Sequence, residues 1–189
     1  TLPSASRFVV TPDQLQATSI RGNALSNTLI VDVSKLSFGS SGIASMRLDV
    51  ADSIGGNDTV SFRFGPGSAS RVLRLDPTSV IRLGQIGGGE SNTLESNNGV
   101  LDISRVPLAN LGGFSRVVVN SALTVSVEQM KQLLDSGGLS EFLGDGLLTV
   151  EGGINVELDL RKIGSFQPGG ALKPEIHFVG ASLASVKQD

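Results

Sequence analysis

The chain of 189 residues contains no cysteine, no tryptophan and no tyrosine. The absence of cysteine excludes disulfide bonds and the cysteine-containing structural zinc sites. A single histidine, His177, cannot by itself build a histidine-rich zinc site. Phenylalanine is the only aromatic residue type, with eight copies, so rings that stack on sugars or bases are scarce. The composition therefore disfavours binding through aromatic platforms.

Charged residues and long apolar runs are also scarce. Charged side chains make up 17% of the chain, against about 25% in typical domains. The formal net charge of −3 gives no electrostatic reason to expect nucleic acid or an anionic membrane as a partner. No apolar run approaches the roughly 20 residues that a membrane-spanning helix needs. We therefore predict neither a nucleic-acid partner nor a membrane span.

Glycine, in contrast, is abundant, with 24 residues among 189, well above the usual share of about 7%. Hydrophobic residues account for 39% of the chain and the mean hydropathy is +0.15, which is enough for a buried core. Apolar and polar residues alternate over 29–34 and 59–64, the period of a half-buried strand, and glycine-rich turns separate such runs. The sequence predicts a mainly β protein.

A short phrase occurs three times, as V-D-V-S-K-L at 31–36, L-D-I-S-R-V at 101–106 and L-D-L-R-K-I at 158–163. The first two copies each begin a β-rich unit, and Asp32 and Asp102 are 102 − 32 = 70 residues apart. Stacked repeats bury a continuous core, so we expect a β-solenoid or two similar β-rich halves packed edge to edge. A β-sandwich is the alternative.

A boundary between two halves is suggested by the stretch 84–99, which is the most polar and glycine-rich part of the chain. We therefore predict one β-rich repeat unit at 1–88 and a second at 89–189. One continuous domain is the alternative, because a glycine-rich loop can also connect strands of the same sheet.

Two helix starts carry the same capping chemistry. Thr11 and Ser126 are each followed three positions later by glutamine, Gln14 and Gln129, which is the pattern of a capping box. An apolar face follows the second box, and a glycine can end that helix. The sequence predicts short helices over about 12–17 and 127–135.

Four oxygen-bearing side chains surround the pair Gly55-Gly56 and are the candidate metal ligands: Asp49, Asp52, Asn57 and Asp58. Calcium takes six to eight oxygen ligands, and glycines let a chain bend around the ion. This cluster therefore suggests a calcium site. The alternative is that Asn57 and Asp58 simply form a hairpin turn.

No catalytic arrangement emerges from the sequence, so we do not expect an enzyme. His177 lies in a strand pattern between two apolar residues, and no nucleophile with an oxyanion-hole motif accompanies it. The repeated Asp32, Asp102 and Asp159 are explained by a strand-edge ion pair or a turn hydrogen bond. Four arginines are candidates for a basic face that grips an acidic glycan or a neighbouring subunit, although strand alternation does not put them all on one side: Arg63, Arg71, Arg74 and Arg82.

The order V-T-x-x-Q-L, glycine turn, L-x-V-D-V-S-x-L, strand, G-G-N-D-T-V resembles the degenerate β-rich repeats of very large secreted bacterial surface proteins, including RTX-type adhesins and S-layer-like proteins. The resemblance covers roughly 7–64 and 101–163. Its last element is similar to the calcium-binding nonapeptide of RTX proteins, keeping Gly55-Gly56, Asp58 and Val60 but lacking the third glycine and any tandem copy.

This resemblance implies a non-catalytic extracellular module, at the bacterial cell surface or secreted, that extends a larger protein or mediates adhesion. Its partners would be further copies of itself, neighbouring domains of the same chain, or a surface glycan or protein. Because the chain begins at Thr1 without methionine or a signal peptide, we expect a piece of a longer protein. The alternatives are a calcium-dependent glycan- or protein-binding module and a β-helical polysaccharide-active enzyme.

Overall fold

The computed structural model describes residues 7–15, 19–21, 25–51, 56–83, 91–135, 141–159, 175–180 and 182–187. Within these ranges β-strands dominate, two segments are α-helical, and a single turn of 3-10 helix occurs at Leu108–Asn110. The prediction of a mainly β protein is confirmed.

The strands, in chain order, are β1 (Arg7–Val10), β2 (Ser19–Arg21), β3 (Thr28–Asp32), β4 (Ile43–Met46), β5 (Asp49–Ala51), β6 (Thr59–Arg63), β7 (Val72–Leu75), β8 (Val80–Arg82), β9 (Thr93–Asn97), β10 (Val100–Asp102), β11 (Leu111–Gly112), β12 (Arg116–Val119), β13 (Ala122–Ser126), β14 (Glu141–Leu143), β15 (Leu147–Glu151), β16 (Ile154–Asp159), β17 (Glu175–Val179) and β18 (Ser182–Lys187). The helices are α1 (Pro12–Leu15) and α2 (Val127–Asp135).

These strands form four sheets. Sheet I has the order β1-β3-β6-β9-β12-β14, sheet II the order β4-β7-β10-β13-β15-β17, sheet III the order β2-β5-β8-β11, and sheet IV pairs β16 with β18. Every pairing between described strands is parallel. Because parallel neighbours cannot be joined by a hairpin, each turn must lead to a different sheet.

The chain visits the sheets in a fixed rotation. Strands β3, β4 and β5 belong to sheets I, II and III, and the triplets β6–β8 and β9–β11 repeat that order. We use "circuit" for one such passage through the three sheets. Asn57 and Asp58 precede β6 and lead into sheet I, so the interpretation of these two residues as a hairpin turn is wrong.

The phrase that led to a spacing of 70 residues does not mark one circuit. Asp32 ends β3 in sheet I, whereas Asp102 ends β10 in sheet II. The true advance per circuit is shorter: hydrogen-bonded residues of adjacent circuits are 31 or 34 positions apart at the corner before sheet I. Similar local phrases had been mistaken for equivalent positions because the same turn chemistry serves two corners.

The predicted boundary region contains a strand, since β9 lies within 84–99; residues 84–90 are outside the described ranges. The polar sequence of β9 is compatible with a sheet because Ser96, which is 1% exposed, donates its hydroxyl to the carbonyl of Ala122 at 2.8 Å. Sheets I, II and III each contain strands from 1–88 and from 89–189. Hydrogen bonds therefore join the two predicted units.

The core lies between the sheets and is built from rows of identically placed side chains. One row on sheet II has exposures between 0% and 2% and contains Leu73, Leu101, Leu123 and Leu148. Alternate residues of a strand point to opposite faces, so a constant register stacks leucine on leucine. Burial of each such side chain contributes about 1.5–3 kcal/mol.

Helix α2 stands where a strand of sheet III would follow β13 in the rotation. Val127, Met130 and Leu134 form its buried face, and the helix packs against β13, β15 and β16. The prediction of a helix over 127–135 is confirmed. The first predicted helix is confirmed at Pro12–Leu15, and positions 16–17 lie outside the described residues.

We expect Gly113→Ala to destabilise the fold more than Gly67→Ala. Both glycines have positive φ, +78° and +72°, so alanine is strained at either position by about 1–2 kcal/mol. A Cβ at Gly113 would lie 1.4 Å from the carbonyl oxygen of Leu83, whereas nothing lies within 4 Å at Gly67. Overpacking should add about 1–3 kcal/mol. Urea unfolding measures the difference, and equal losses would contradict the close approach of the two circuits.

Candidate functional site

The predicted metal ligands are divided between two sheets. Asp49 begins β5 in sheet III, and Asn57 and Asp58 precede β6 in sheet I. Asp52 lies outside the described residues. Among the residues that the structure describes, no group of three or more His, Cys, Asp or Glu is placed to hold a metal ion.

Asp49 has cationic neighbours. Its Oδ1 lies 4.0 Å from Nη1 of Arg21, its Oδ2 lies 3.8 Å from Nη2 of Arg47, and the hydroxyl of Ser19 donates to Oδ2 at 2.7 Å. Both arginines are exposed, so each contact contributes little to stability. The arrangement matches the charge of the Asp49 carboxylate with guanidinium groups.

Asp58 belongs to a buried ladder of polar side chains. Its side chain is in a residue only 3% exposed, and its Oδ1 accepts the backbone N–H of Asn27 at 2.7 Å. The backbone N–H of Asp58 in turn donates to Oδ1 of Asn92 at 2.7 Å. Buried backbone donors need partners, and here side chains supply them between circuits. We call Asn27, Asp58 and Asn92 the corner ladder.

A second, exposed ladder runs beside the corner ladder, one residue earlier in each circuit. The backbone N–H of Asn57 donates to Oγ of Ser26 at 3.1 Å, and that of Ser91 donates to Oδ1 of Asn57 at 2.8 Å. The contacts of Asn57 and Asp58 thus hold the corner of each circuit on the corner before it.

The sequence contains a signal for these ladders that the search for calcium motifs missed. The corner is written S-N-T-L at 26–29, N-D-T-V at 57–60 and S-N-T-L at 91–94. In each copy two polar residues precede a threonine and an inward-facing aliphatic residue. Comparing G-G-N-D-T-V with its own neighbours, rather than with a nonapeptide, would have found the circuit.

Three aspartates form local turns at the ends of strands. Oδ1 of Asp32 accepts the backbone N–H of Ser34 at 2.9 Å, and Oδ1 of Asp102 accepts the backbone N–H of Ser104 at 3.0 Å. The prediction of a turn hydrogen bond is confirmed for both. Asp76 was missed, although it follows the same D-x-S/T pattern and accepts the backbone N–H of Thr78 at 2.8 Å.

Hydrogen bonds at two of these turns favour the ionised carboxylate. Donation from the side chain and backbone of Ser34 lowers the pKa of Asp32, and donation from Thr78 lowers the pKa of Asp76, both below the ordinary value of 3.8. A lowered pKa in the folded state stabilises the fold above pH 3.8, and this contribution is lost as the pH falls through the lower folded-state value.

Asp102 and Gln129 fasten helix α2 to sheet II. Asp102, only 3% exposed, accepts Nε of Arg74 at 2.7 Å through Oδ2. Gln129, also 3% exposed, donates Nε2 to the carbonyls of Ile103 and Val106 at 2.8 and 2.7 Å. These two carbonyls belong to the turn that Asp102 begins, so one polar network connects β7, β10 and α2.

The predicted capping box of α2 is confirmed. The backbone N–H of Gln129 donates to Oγ of Ser126 at 3.1 Å, and the backbone N–H of Ser126 donates to Oε1 of Gln129 at 2.8 Å. Since Nε2 of the same amide binds two carbonyls, Gln129 both starts the helix and anchors it. The sequence pattern predicted the first role but contained no signal for the second.

The four arginines considered as a basic face are dispersed. Arg63 is in sheet I, Arg82 is in sheet III, and Arg74 is in sheet II, where it pairs with Asp102. The guanidinium carbon of Arg71 lies over the ring of Phe38, 5.2 Å from its centroid. These four residues do not form one face, because their strands belong to different sheets.

His177 lies on β17, as its strand pattern predicted. Its Nε2 is 2.5 Å from Oε1 of Glu175, two residues earlier on the same face of the strand, and both side chains are exposed. Thr149 is its register neighbour in sheet II. Ser136, which a serine-histidine arrangement would have to use, lies outside the described residues.

The chain matches no protein-family model, no curated protein and no solved structure. In the part of the chain that the structure describes, no helix has both the length and the apolar character needed to cross a bilayer. Function therefore has to be inferred from the geometry of this chain.

Replacing Asp58 distinguishes the corner ladder from a calcium site. Asp58→Ala should cost about 1–3 kcal/mol, because it leaves a buried N–H without its acceptor, whereas Asp58→Asn should stay within about 1 kcal/mol because the amide oxygen can accept the same bond. Unfolding in urea measures both. The exposed Asn57→Ala is the control and should lose less than Asp58→Ala.

The same variants test calcium in thermal melts with calcium and with EGTA. A calcium site occupied only in the folded state raises the melting temperature by mass action, and Asp58→Asn should then weaken that shift. If the ladder alone accounts for Asp58, calcium and EGTA give superimposable melts for the wild type and for Asp58→Asn. A shift that Asp58→Asn abolishes would contradict that account.

Gln129→Glu should destabilise the protein by about 3 kcal/mol or more, because a buried carboxylate would replace the amide donor that binds two carbonyls. The loss should shrink at acid pH, since a protonated carboxyl can again donate. Chemical unfolding across pH measures this. The exposed Glu128→Gln is a matched control with little expected effect, and a pH-independent loss in Gln129→Glu would contradict the assigned contacts.

Proposed function

We propose that this chain is a β-solenoid segment of a larger bacterial surface or secreted protein, with a structural and adhesive role and no catalytic one. The observation that carries this proposal is the difference between the middle circuits and the terminal strands. Inward-facing residues of the middle circuits are fully buried: Leu101 and Phe62 are both 0% exposed. Their counterparts on β1 and β17 are only partly buried.

The incompletely covered residues lie at both ends of the stack. Phe8 and Val10 of β1 pack against the core from one end, and Ile176 and Phe178 of β17 from the other, all of them partly buried. Stacked circuits bury each other's apolar faces, so a terminal circuit lacks one neighbour. A further circuit at either end would complete the burial.

The outward faces of the terminal strands support the same proposal. Val9 on β1 is 56% exposed and Val179 on β17 is 52% exposed. Among the described strands, β1 pairs only with β3 and β17 pairs only with β15. A strand with an unpaired edge is a template for another strand, so further circuits of the same chain or another copy of it can pair there.

A scaffold fits the described surface better than an enzyme does. The Asp49 carboxylate is matched by arginines, the Asp102 carboxylate pairs with Arg74, and Asp58 holds a corner. An acid-base pair for glycoside chemistry needs two carboxyl groups available to a substrate. The proposed surface or secreted location rests on the resemblance to repeats of RTX-type adhesins and S-layer-like proteins.

Self-association through the terminal strands can be measured by sedimentation equilibrium over a range of protein concentrations. We expect the average mass to rise with concentration, and Val179→Lys to weaken association about tenfold, because a charge on an exposed edge strand opposes pairing. The isolated chain is not expected to lose stability, since Val179 is already exposed.

Leu108→Lys is the matched control, because Leu108 is also an exposed aliphatic residue but lies on the 3-10 turn rather than on a terminal strand. It should leave association unchanged. A wild-type chain that remains monomeric at the highest concentration would contradict self-association, and equal weakening by both variants would contradict pairing at β17.

A further inference from the structure

The outward face of sheet III carries two arginines on either side of a small residue. Arg21 of β2 is the register partner of Ala51 of β5, and Ala51 is the register partner of Arg82 of β8. The next position in the same row is Gly112 of β11. Arg21 and Arg82 are 61 positions apart in the chain, so only the stacking of circuits brings them together.

This row faces solvent. Ile81 in the adjacent inward row is 0% exposed and belongs to the core, so alternation places Arg82 on the outer face. Arg21 and Arg82 are both exposed, and Ala51 between them is half-buried. The small side chain leaves open surface between the two guanidinium groups.

Positive charge exceeds negative charge on this face. Arg21 and Arg47 share the single carboxylate of Asp49 at 4.0 and 3.8 Å. Arg82 makes no ion pair with a described residue, so three arginines and one aspartate leave a local charge of 3 − 1 = +2. The chain as a whole carries −3. A negatively charged ligand is therefore attracted to this face and not to the protein in general.

The spacing allows both arginines to reach one ligand. Adjacent strands are about 4.8 Å apart, so two steps separate the backbones of Arg21 and Arg82 by about 9.6 Å. Long arginine side chains span that distance when they converge over Ala51. The planar guanidinium donates two parallel hydrogen bonds to a carboxylate and also binds the oxygens of sulfate or phosphate groups.

An open face of this kind selects for a polymer. A single exposed ion pair contributes only about 0–1 kcal/mol, so one small anion would bind weakly. A chain that carries an acidic group on successive units can engage Arg21, Arg82 and Arg47 together, and linked contacts raise the overall affinity. Nucleic acid is less favoured, because single-stranded binding surfaces add aromatic stacking and β2, β5 and β8 contain no aromatic residue.

We propose that the outer face of sheet III binds an acidic polysaccharide through Arg21, Arg82 and Arg47, without calcium. The acidic groups are carboxylates or sulfates, which arginine recognises by the same geometry. This site does not depend on the proposed scaffold function, because binding requires only one folded chain. A chain that never self-associates would still carry the site.

The test measures binding of the full chain to polygalacturonate, to dextran sulfate and to neutral dextran at low ionic strength. We expect binding to at least one of the two acidic polymers, none to neutral dextran, and weaker binding as salt is added. The polymer that binds identifies the acidic group as carboxylate or sulfate. Binding should be the same with calcium and with EGTA.

Two pairs of variants localise the site. Arg21→Gln with Arg82→Gln should weaken binding at least tenfold. The control, Arg7→Gln with Arg63→Gln, removes two exposed arginines of sheet I and the same net charge, and should change affinity less than twofold. Ala51→Asp should also weaken binding at least tenfold, whereas the similarly sized but uncharged Ala51→Asn should weaken it much less.

Several results would overturn the proposal. These are no binding to either acidic polymer, an equal loss in the sheet I control, or binding that EGTA removes. Single-stranded DNA that binds as tightly as the polysaccharides would replace the ligand class with nucleic acid. Thermal melts of each variant show whether the protein remains folded, and Ala51→Asn keeps the test decisive if Ala51→Asp does not fold.

Discussion

Parallel register between successive circuits is the constraint on which the rest of this structure depends. In a parallel sheet each strand must find its partner one full circuit away, and at the corner before sheet I that distance is 31 or 34 residues. The corners have to stack as accurately as the strands do. Asn27, Asp58 and Asn92 achieve this by giving buried backbone N–H groups a side-chain acceptor on the neighbouring circuit.

The same register determines both faces of every sheet. Inside, it places leucine on leucine in sheet II and closes the core without a disulfide or a metal. Outside, it aligns Arg21, Ala51 and Arg82, which belong to three circuits. A protein built in this way forms its surfaces from residues distant in sequence, so a binding face is repeated across strands instead of being enclosed in a pocket.

Helix α2 interrupts the rotation of strands without breaking the stack. It is fixed by an unusual economy of contacts, since one amide, that of Gln129, completes the capping box and binds two carbonyls of the turn after β10. Asp102 holds the same turn from the other side and pairs with Arg74. The helix is therefore anchored to the circuit before it by buried polar groups as well as by its apolar face.

The sequence alone determined the β-rich composition, the strand over 59–63 and the capped helix α2. These features depend on alternation and on bonds between residues a few positions apart, so local patterns contain them. The assignment of strands to sheets, the circuit length and the role of Asp58 in the corner ladder were decided by tertiary structure. Their hydrogen-bond partners lie on another circuit, and only the closing of each circuit brings them within reach.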